Sequence, residues 1–155
     1  MQDTLEEELE KNGIKRYEIS NYAKDGYQSK HNGSYWTGAP YLGLGAGAHS
    51  YDGAYRRQWN PDDIGAYMAT IQNGQLPLEE EVLSEVDRYN EAVMLGLRTR
   101  EGIHLNRFSE ADRLMILTQS ASFLREGLLE QADECIRATH AGTRILNIII
   151  EALMK

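Results

Sequence analysis

The sequence has 155 residues, is 41% hydrophobic and carries a formal net charge of −8. This length suits one ordinary domain or two small ones, and the acidity argues against a broad nucleic-acid-binding surface. The single cysteine, Cys135, excludes an internal disulfide and a cysteine-rich metal site built by this chain alone. No run is apolar enough to span a membrane and no signal-peptide pattern is present, so the sequence predicts a cytoplasmic protein.

The N-terminal part predicts a helix over residues 3–12, which Gly13 ends, and a strand over residues 14–20. A helix followed directly by a strand is typical of half an α/β repeat, which cannot bury both faces of its strand alone. We therefore expect the chain to begin in the middle of a larger domain. Residues 21–34 predict a long polar loop.

Two motifs follow, and the first combines an imidazole with an amide and two large aromatic rings. Its members are His31, Asn32, Tyr35 and Trp36. An imidazole beside aromatic faces suits a flat conjugated ligand or an iron centre. The alternative is an ordinary histidine that is hydrogen-bonded at the surface or in the core.

The second motif is a glycine run, predicted to lie on a strand. Residues two apart on a strand share a face. One face would carry Tyr41, Gly43, Gly45, Gly47 and His49, and the other, core-facing side would carry Leu42, Leu44, Ala46 and Ala48. Glycines on one strand face indicate close approach by a ligand or another backbone, or a bulged or bent strand packed under a helix. The run is not a dinucleotide-binding fingerprint, because a turn follows it and not a helix.

The middle of the chain predicts a strand over residues 54–59 and then a helix. Arg56 and Arg57 in that strand suit either a solvated edge or anion capture. The helix begins in the Asn-Pro-Asp-Asp run at residues 60–63 and ends at Gly74. Residues 75–82, which include Pro77 and three glutamates, predict a linker.

The C-terminal part predicts helix, helix, short hairpin and helix, which is a winged-helix-like order. The helices cover residues 84–98, start again at Ser109, and start a third time at Thr139; the strands cover 128–132 and 134–138. The predicted core-facing stripes are Val86, Tyr89, Val93 and Leu97; Leu114, Leu117, Ala121 and Leu124; and Ile145, Ile148, Ala152 and Leu153. Winged helices often bind DNA, but this segment is slightly acidic, which opposes that function.

Taken together, these motifs resemble the radical S-adenosylmethionine family of oxygen-independent coproporphyrinogen III oxidase-like proteins, in particular its heme chaperone branch. The resemblance covers nearly the whole chain and keeps the family's order. The matching pieces are Tyr-Glu-Ile-Ser-Asn-Tyr-Ala at 17–23, His-Asn-x-x-Tyr-Trp at 31–36, Tyr-Leu-Gly-x-Gly-Ala-Gly-Ala-His-Ser at 41–50, Arg56 with Asn60, Glu91 with Met-Leu-Gly-Leu-Arg-Thr at 94–99, Gly-Leu-Leu-Glu at 127–130, and Thr139 with Gly142.

The resemblance implies an α+β chain: the end of a partial (β/α) radical S-adenosylmethionine barrel followed by a mainly helical, winged-helix-like C-terminal domain. Residues 1–75 would be the last part of the barrel with connecting loops, 76–83 a linker, and 84–155 the helical domain. The family's three-cysteine loop, which binds a [4Fe–4S] cluster and S-adenosylmethionine, has no counterpart here. We therefore expect the chain alone to be inactive and unable to bind the cluster.

The same resemblance implies the site. His31 corresponds to the heme-associated histidine, as a metal ligand to heme, and Asn32, Tyr35 and Trp36 complete that motif. Gly43, Gly45, Gly47 and His49 would lie near S-adenosylmethionine and substrate at the barrel mouth.

The implied function is a part in heme or porphyrin metabolism, either heme binding and transfer or the parent family's oxidative decarboxylation of coproporphyrinogen III. The expected partners are heme or porphyrin, the missing N-terminal barrel portion and, because a cut barrel exposes apolar surface, a second copy of the chain. The alternatives are an interaction module without heme chemistry and a winged-helix regulator. Cys135 suits core filling.

Overall fold

The computed structural model describes residues 2–76 and 79–155, and its contacts divide the chain into two compact units. The first unit comprises Met1–Trp36 and Tyr89–Lys155, and the second comprises Thr37–Arg88. These units group the residues differently from the predicted boundaries at 75 and 84, which stay a prediction about the parent protein. Pro77, on which part of the linker prediction rests, lies outside the described residues.

The first unit contains most of the helices and two small sheets. Its elements are α1 (Gln2–Lys11), β1 (Ile14–Arg16), β2 (Tyr22–Lys24), α2 (Lys30–Trp36), most of α4 (Glu85–Leu97), β6 (Ile103–His104), α5 (Glu110–Arg125), β7 (Leu129–Ala132), β8 (Cys135–Ala138), α6 (His140–Thr143) and α7 (Leu146–Leu153). Strand β1 pairs antiparallel with β2 to form a hairpin. The region predicted as a loop over residues 21–34 therefore contains strand β2 and most of α2, and the loop prediction is wrong.

The core of the first unit lies between α4, α5, α7 and the three-stranded sheet β6-β8-β7. Helices α4 and α5 with an antiparallel sheet form the predicted winged-helix-like arrangement, and the α+β class is confirmed. Burial of apolar side chains is the main stabilising term for such a small core. Its most deeply buried members are Val93, Ile103, Leu105, Ile116, Ile136, Ile149 and Leu153.

The predicted stripes on three helices need correction. In α4, Val86 is 44% exposed, whereas Tyr89, Val93 and Leu97 are buried as predicted. In α5, Leu114 is 67% exposed, whereas Ile116 and Ser120 are fully buried, so the core-facing stripe is shifted around the helix. The last helix is interrupted at Ile145, which precedes α7, and the interruption leaves Ile148 exposed while Leu146 and Ile149–Ile150 face the core. The predicted stripe assumed one continuous helix; because α6 and α7 are separate helices, the 3.6-residue period does not carry across the interruption and assigns the wrong residues to the core.

Helix starts follow the predicted capping chemistry. Ser109 accepts a hydrogen bond from the Asp112 amide at 3.2 Å, and Thr139 accepts one from the Gly142 amide at 3.1 Å. Such caps satisfy amides that have no partner inside the helix.

The second unit is a three-stranded antiparallel sheet with one helix. Its elements are β3 (His49–Tyr51), β4 (Arg56–Trp59), α3 (Ile64–Gln72) and β5 (Glu79–Val82), with sheet order β3-β4-β5. Strand β5 pairs with β4 along its whole length, so this part of the predicted linker is a strand. Helix α3 begins after Asp63, which accepts from the Ala66 amide at 2.7 Å, a few residues later than predicted.

Gly142 tests the packing of α6 against Leu128, the residue that precedes β7. A Cβ at this position would lie 1.9 Å from the Leu128 carbonyl oxygen, so alanine forces the two backbones apart. We expect Gly142→Ala to lower the free energy of unfolding by about 1–3 kcal/mol or more in urea denaturation. Gly33→Ala in α2, where a Cβ meets no heavy atom within 4 Å, is the control and should be neutral or stabilising.

Tyr89 predicts a loss of stability at high pH. Its ring is 4% exposed, its hydroxyl donates to the Leu153 carbonyl at 3.0 Å, and burial together with the Asp112 carboxylate raises its pKa to about 12. An unfolded tyrosine ionises near pH 10, so this contribution is complete below that pH and is lost as the pH rises towards about 12. Tyr89→Phe should make the fall in urea midpoint over this range shallower; an unchanged slope would contradict this.

Candidate functional site

The histidine motif lies on the short helix α2, which begins with a serine cap. The Ser29 hydroxyl accepts from the Asn32 amide at 3.2 Å, and the Gly33 amide donates to the Ser29 carbonyl at 2.9 Å. Further along, the Ser34 hydroxyl donates to the His31 carbonyl at 2.7 Å. Ser29 was the sequence signal for this helix, and the surrounding glycines and polar residues concealed it.

Helical spacing separates the four motif residues into two pairs. His31 and Tyr35 are one turn apart on an exposed face, with their rings edge to face at 5.2 Å. The Tyr35 hydroxyl lies 3.3 Å from His31 Nε2. Asn32 and Trp36 are also one turn apart, on a neighbouring face, and both are half-buried. The motif therefore presents an accessible imidazole supported by a phenol, with an amide and an indole beneath.

The half-buried pair has unused hydrogen-bonding capacity. Asn32 Nδ2 and Trp36 Nε1 are buried from solvent and have no hydrogen-bond partner among the described residues. A buried donor without an acceptor costs free energy, and native proteins leave few such donors. Two of them on one face of α2 mark a place where an acceptor from a ligand or another segment is expected.

The glycine run is not the predicted strand. Only residues 49–51 form strand β3, and the preceding residues fold back over it, starting from a bridge between Tyr41 and Tyr51. Leu42 and Leu44, predicted to face a core, are 78% and 82% exposed. Three glycines prevent a continuous strand here because their conformational freedom favours turns.

Each glycine of the run has a local structural reason. A Cβ on Gly43 would lie 2.1 Å from the His49 carbonyl oxygen, so the chain approaches its own strand too closely for a side chain. Gly45 and Gly47 have φ of 106° and 68°, a region that side chains disfavour. Of the two explanations in the sequence, close approach by another backbone therefore accounts for Gly43. Cofactor binding by Gly43, Gly45 and Gly47 stays a prediction.

Asn60 holds the folded-back run in place. Its side chain is 8% exposed and donates from Nδ2 to the Gly45 carbonyl at 2.8 Å, while its backbone amide donates to the Ala48 carbonyl at 3.0 Å. The Gly47 amide donates to the Pro61 carbonyl at 2.9 Å. The sequence placed Asn60 in the run where a helix was predicted to begin; in the structure Asn60 instead holds the loop, and Asp63 caps the helix.

His49 faces solvent on β3 and stacks on a tryptophan. It is the cross-strand partner of Trp59, and the two rings lie 6.1 Å apart at 29°. Trp59 Nε1 donates to Glu79 Oε2 at 3.0 Å. Trp59 was absent from the predicted site, although its position opposite His49 makes it the ring that orients this imidazole.

The adjacent β3–β4 turn is held by Asp52. Hydrogen bonds from the backbone amides of Arg56, Ala54 and Tyr55 to its carboxylate lower the pKa of Asp52.

The structure thus brings the predicted site residues together in pairs. Within the first unit it joins His31 to Tyr35 and places Asn32 one turn from Trp36. The glycine run and His49 belong to the second unit.

Metal-binding capacity is limited in the described part of the chain. No group of three or more His, Cys, Asp or Glu side chains there could hold a metal ion, and one cysteine cannot provide the thiolates of an iron–sulfur cluster. That cysteine, Cys135, is half-buried, and its Sγ lies 3.1 Å from Nδ1 of His104, its neighbour on β6. Among the described residues, no helix has the length and hydropathy that a membrane span requires.

Comparison with known proteins gives one family match. Residues 83–145 match the model of the HemN C-terminal domain, which covers most of the winged-helix-like segment.

Curated relatives match over three quarters of the chain or more. The heme chaperone HemW of Bacillus subtilis (strain 168) is 33% identical over 99% of this chain and 42% of its own length. HemW of Synechocystis is 36% identical over 76% of this chain and 30% of its own length. A zebrafish (Danio rerio) relative, mitochondrial radical S-adenosyl methionine domain-containing protein 1, is 30% identical over 94% of this chain and 36% of its own length. The chain spans about two fifths of the length of the first of these relatives.

Among solved structures, the coproporphyrinogen III oxidase HemN of Escherichia coli, described as a radical SAM enzyme, aligns with a TM-score of 0.70. The alignment covers 99% of this chain and 40% of that chain, at 16% identity. At this identity the likeness establishes the fold.

Asn60 provides a test of the loop geometry. Replacing it with alanine removes the 2.8 Å bond to the Gly45 carbonyl, which keeps the longer 3.3 Å bond from the Ala48 amide, so we expect about 0.5–1.5 kcal/mol of destabilisation. Hydrogen exchange measured by mass spectrometry should become faster in peptides covering residues 41–51. Asn147→Ala, at an exposed position on α7, should leave that exchange unchanged. Equal protection in both variants would contradict the clamp.

Proposed function

Because this chain belongs to the HemN-like radical S-adenosylmethionine family and matches the model of the HemN C-terminal domain over residues 83–145, we propose that it binds heme and takes part in heme transfer as part of a longer parent protein. The observation that carries this proposal is the accessible imidazole of His31 on α2, one turn from Tyr35. The relatives at 30% identity or above include proteins named as heme chaperones, two of which align over 99% and 94% of the chain. That support favours heme transfer over the oxidase reaction, for which the likeness is one of fold.

The residues around His31 fit heme as a bound cargo. Imidazole nitrogen is a common axial ligand of heme iron, and it must be accessible and neutral to coordinate. His31 meets the first condition on the surface of α2. Aromatic rings of Tyr35 and Trp36 on the same helix suit the apolar porphyrin plane, and the unpaired donors of Asn32 and Trp36 suit acceptors on its edge.

The Tyr35 hydroxyl affects which nitrogen of His31 can coordinate the heme iron. It can donate to Nε2 of His31, which occupies the lone pair that iron would need. Coordination through Nε2 therefore requires this contact to open, while coordination through Nδ1 leaves it in place. The phenol thus tunes the affinity of His31, and it favours a heme that can be passed on over one that is held permanently.

The remaining functional assignments belong to the parent protein. A [4Fe–4S] cluster with S-adenosylmethionine would supply radical chemistry there, but the donor set of the described part of this chain, with its single cysteine, does not fit a cluster. Gly43, Gly45, Gly47 and His49 are proposed as a surface near the S-adenosylmethionine and substrate of the parent protein. A cytoplasmic location and self-association through exposed residues such as Leu42 and Leu44 are parts of the same proposal.

Hemin titration of the purified chain tests the proposal. We expect a Soret shift in the wild type and at least about tenfold weaker binding in His31→Ala, because the iron loses its axial nitrogen. His140→Ala is the matched control: this histidine is exposed in the same unit, and its Nδ1 contacts Glu6 at 2.9 Å. Equal weakening in both variants, or no Soret shift in the wild type, would contradict the role of His31 and favour an interaction module without heme chemistry.

Two further variants define how the imidazole is used. Tyr35→Phe should bind hemin as tightly as the wild type or more tightly if Nε2 is the ligand, because the competing hydroxyl is gone. His49→Ala reports on the second unit. A loss as large as that of His31→Ala would assign the iron ligand to His49 and not to α2.

A further inference from the structure

The first unit contains a cavity of about 280 Å³ that belongs to neither predicted motif. It forms where the segment after β1 meets the end of α4 and the strands of the winged-helix-like sheet. Four of the side chains that line it are arginines: Arg16, Arg98, Arg100 and Arg137. Two carboxylates, those of Glu18 and Glu130, also line it, so the cavity has an excess of two positive charges (four minus two) in a chain of net charge −8.

Backbone contacts between two distant segments, called here the clip, form this cavity. The Arg100 amide donates to the Tyr17 carbonyl at 3.1 Å, and Glu18 forms an antiparallel bridge with Thr99. The clip joins residues 16–19 to residues 97–100. It therefore places Arg16 at the same cavity as Arg98 and Arg100, although they are about 80 positions apart in the sequence.

The carboxylates of the cavity are already engaged. Arg137 Nε donates to Glu130 Oε1 at 2.6 Å. Glu18 is 2% exposed, and its Oε1 accepts from the Ser20 amide at 3.0 Å. Asp25, whose charge also reaches Arg100, pairs with Lys15 at 3.0 Å.

The other three arginines of the cavity are left without such partners. Arg16, Arg98 and Arg100 make no ion pair within residues 2–76 and 79–155. Moreover, Arg98 Nε is buried and has no hydrogen-bond partner in the described part of the chain. A buried guanidinium N–H without an acceptor is costly, and like charges in one enclosure repel. An anion placed among the three groups would remove both penalties.

We propose that this cavity binds a small organic anion that carries carboxylate or phosphate groups. The planar guanidinium fork matches both groups through paired hydrogen bonds, and three arginines from two segments line this one cavity. Leu97 and Leu146 contribute apolar wall, which suits a ligand with a short hydrocarbon body over a bare inorganic ion. The site is distinct from the heme proposal, since none of its lining residues lies on α2.

Isothermal titration calorimetry of the full 155-residue chain tests the proposal with citrate and pyrophosphate as probes, at low and at physiological ionic strength. We expect saturable binding of at least one probe, weakened at least about tenfold by Arg98→Gln and by Arg100→Gln. Arg107→Gln, which removes the same charge from an exposed position of the same unit, should leave binding unchanged. Preference for citrate assigns the carboxylate class, and preference for pyrophosphate the phosphate class.

Two outcomes would overturn the proposal: binding of neither probe, or an equal loss in Arg107→Gln. Because Arg98 is half-buried, urea denaturation must show that each variant is folded. Arg100 is exposed, so Arg100→Gln keeps the test decisive if Arg98→Gln unfolds. Arg100→Lys separates charge from geometry. It should bind more weakly than the wild type if the fork matters, and unchanged binding would reject the proposed paired contact.

Discussion

The arrangement of the first unit depends on one short backbone contact, the bridge between residues 17–18 and residues 99–100. It consists of few hydrogen bonds, but it joins chain segments that are separated by the whole second unit. Closing so long a loop costs conformational entropy, which local hydrogen bonds alone do not offset. The packing of Ile19 against the core accompanies the bridge and supplies apolar contacts around it. The N-terminal segment that leads to α2 is thereby attached to a core built mainly from C-terminal residues.

The parts of the fold that sequence reasoning predicted are those with local causes. Caps such as Ser109 and Thr139 act within three residues, and Asp133, with a φ of 53°, turns the predicted hairpin between β7 and β8. The parts it missed depend on contacts far apart in the sequence. Strand β5 is a run of glutamates and a valine that reads as a linker, and it becomes a strand only because β4 offers it a partner. The arginine cavity is invisible in the sequence for the same reason.

The two motifs show what a motif does and does not specify. The first four residues of the His-Asn-x-x-Tyr-Trp run were predicted to lie in a loop, yet the spacing of the run is helical: positions i and i+4 form one exposed pair and one half-buried pair. The glycine run was predicted to be a strand from its alternation, but alternation of glycine with leucine or alanine cannot stabilise a strand whose alternate positions have no side chains to pack. The resemblance identified the family, whereas the helical or looped state of each motif had to come from the backbone.

The balance of satisfied and unsatisfied polar groups separates the structural part of the candidate site from the part that fits a ligand. In and around the glycine run, three polar groups have hydrogen-bond partners. The Gly43 amide donates to the Ser50 hydroxyl, the Gly47 amide donates to the Pro61 carbonyl, and the Asn60 side chain donates to the Gly45 carbonyl. A region so fully paired gains little from a polar ligand. Helix α2 and the arginine cavity differ, because Asn32, Trp36 and Arg98 each keep a buried donor without an acceptor among the described residues. Such donors cost free energy in the chain as it stands, so an acceptor atom from a ligand or a neighbouring segment would offset that cost at these two places.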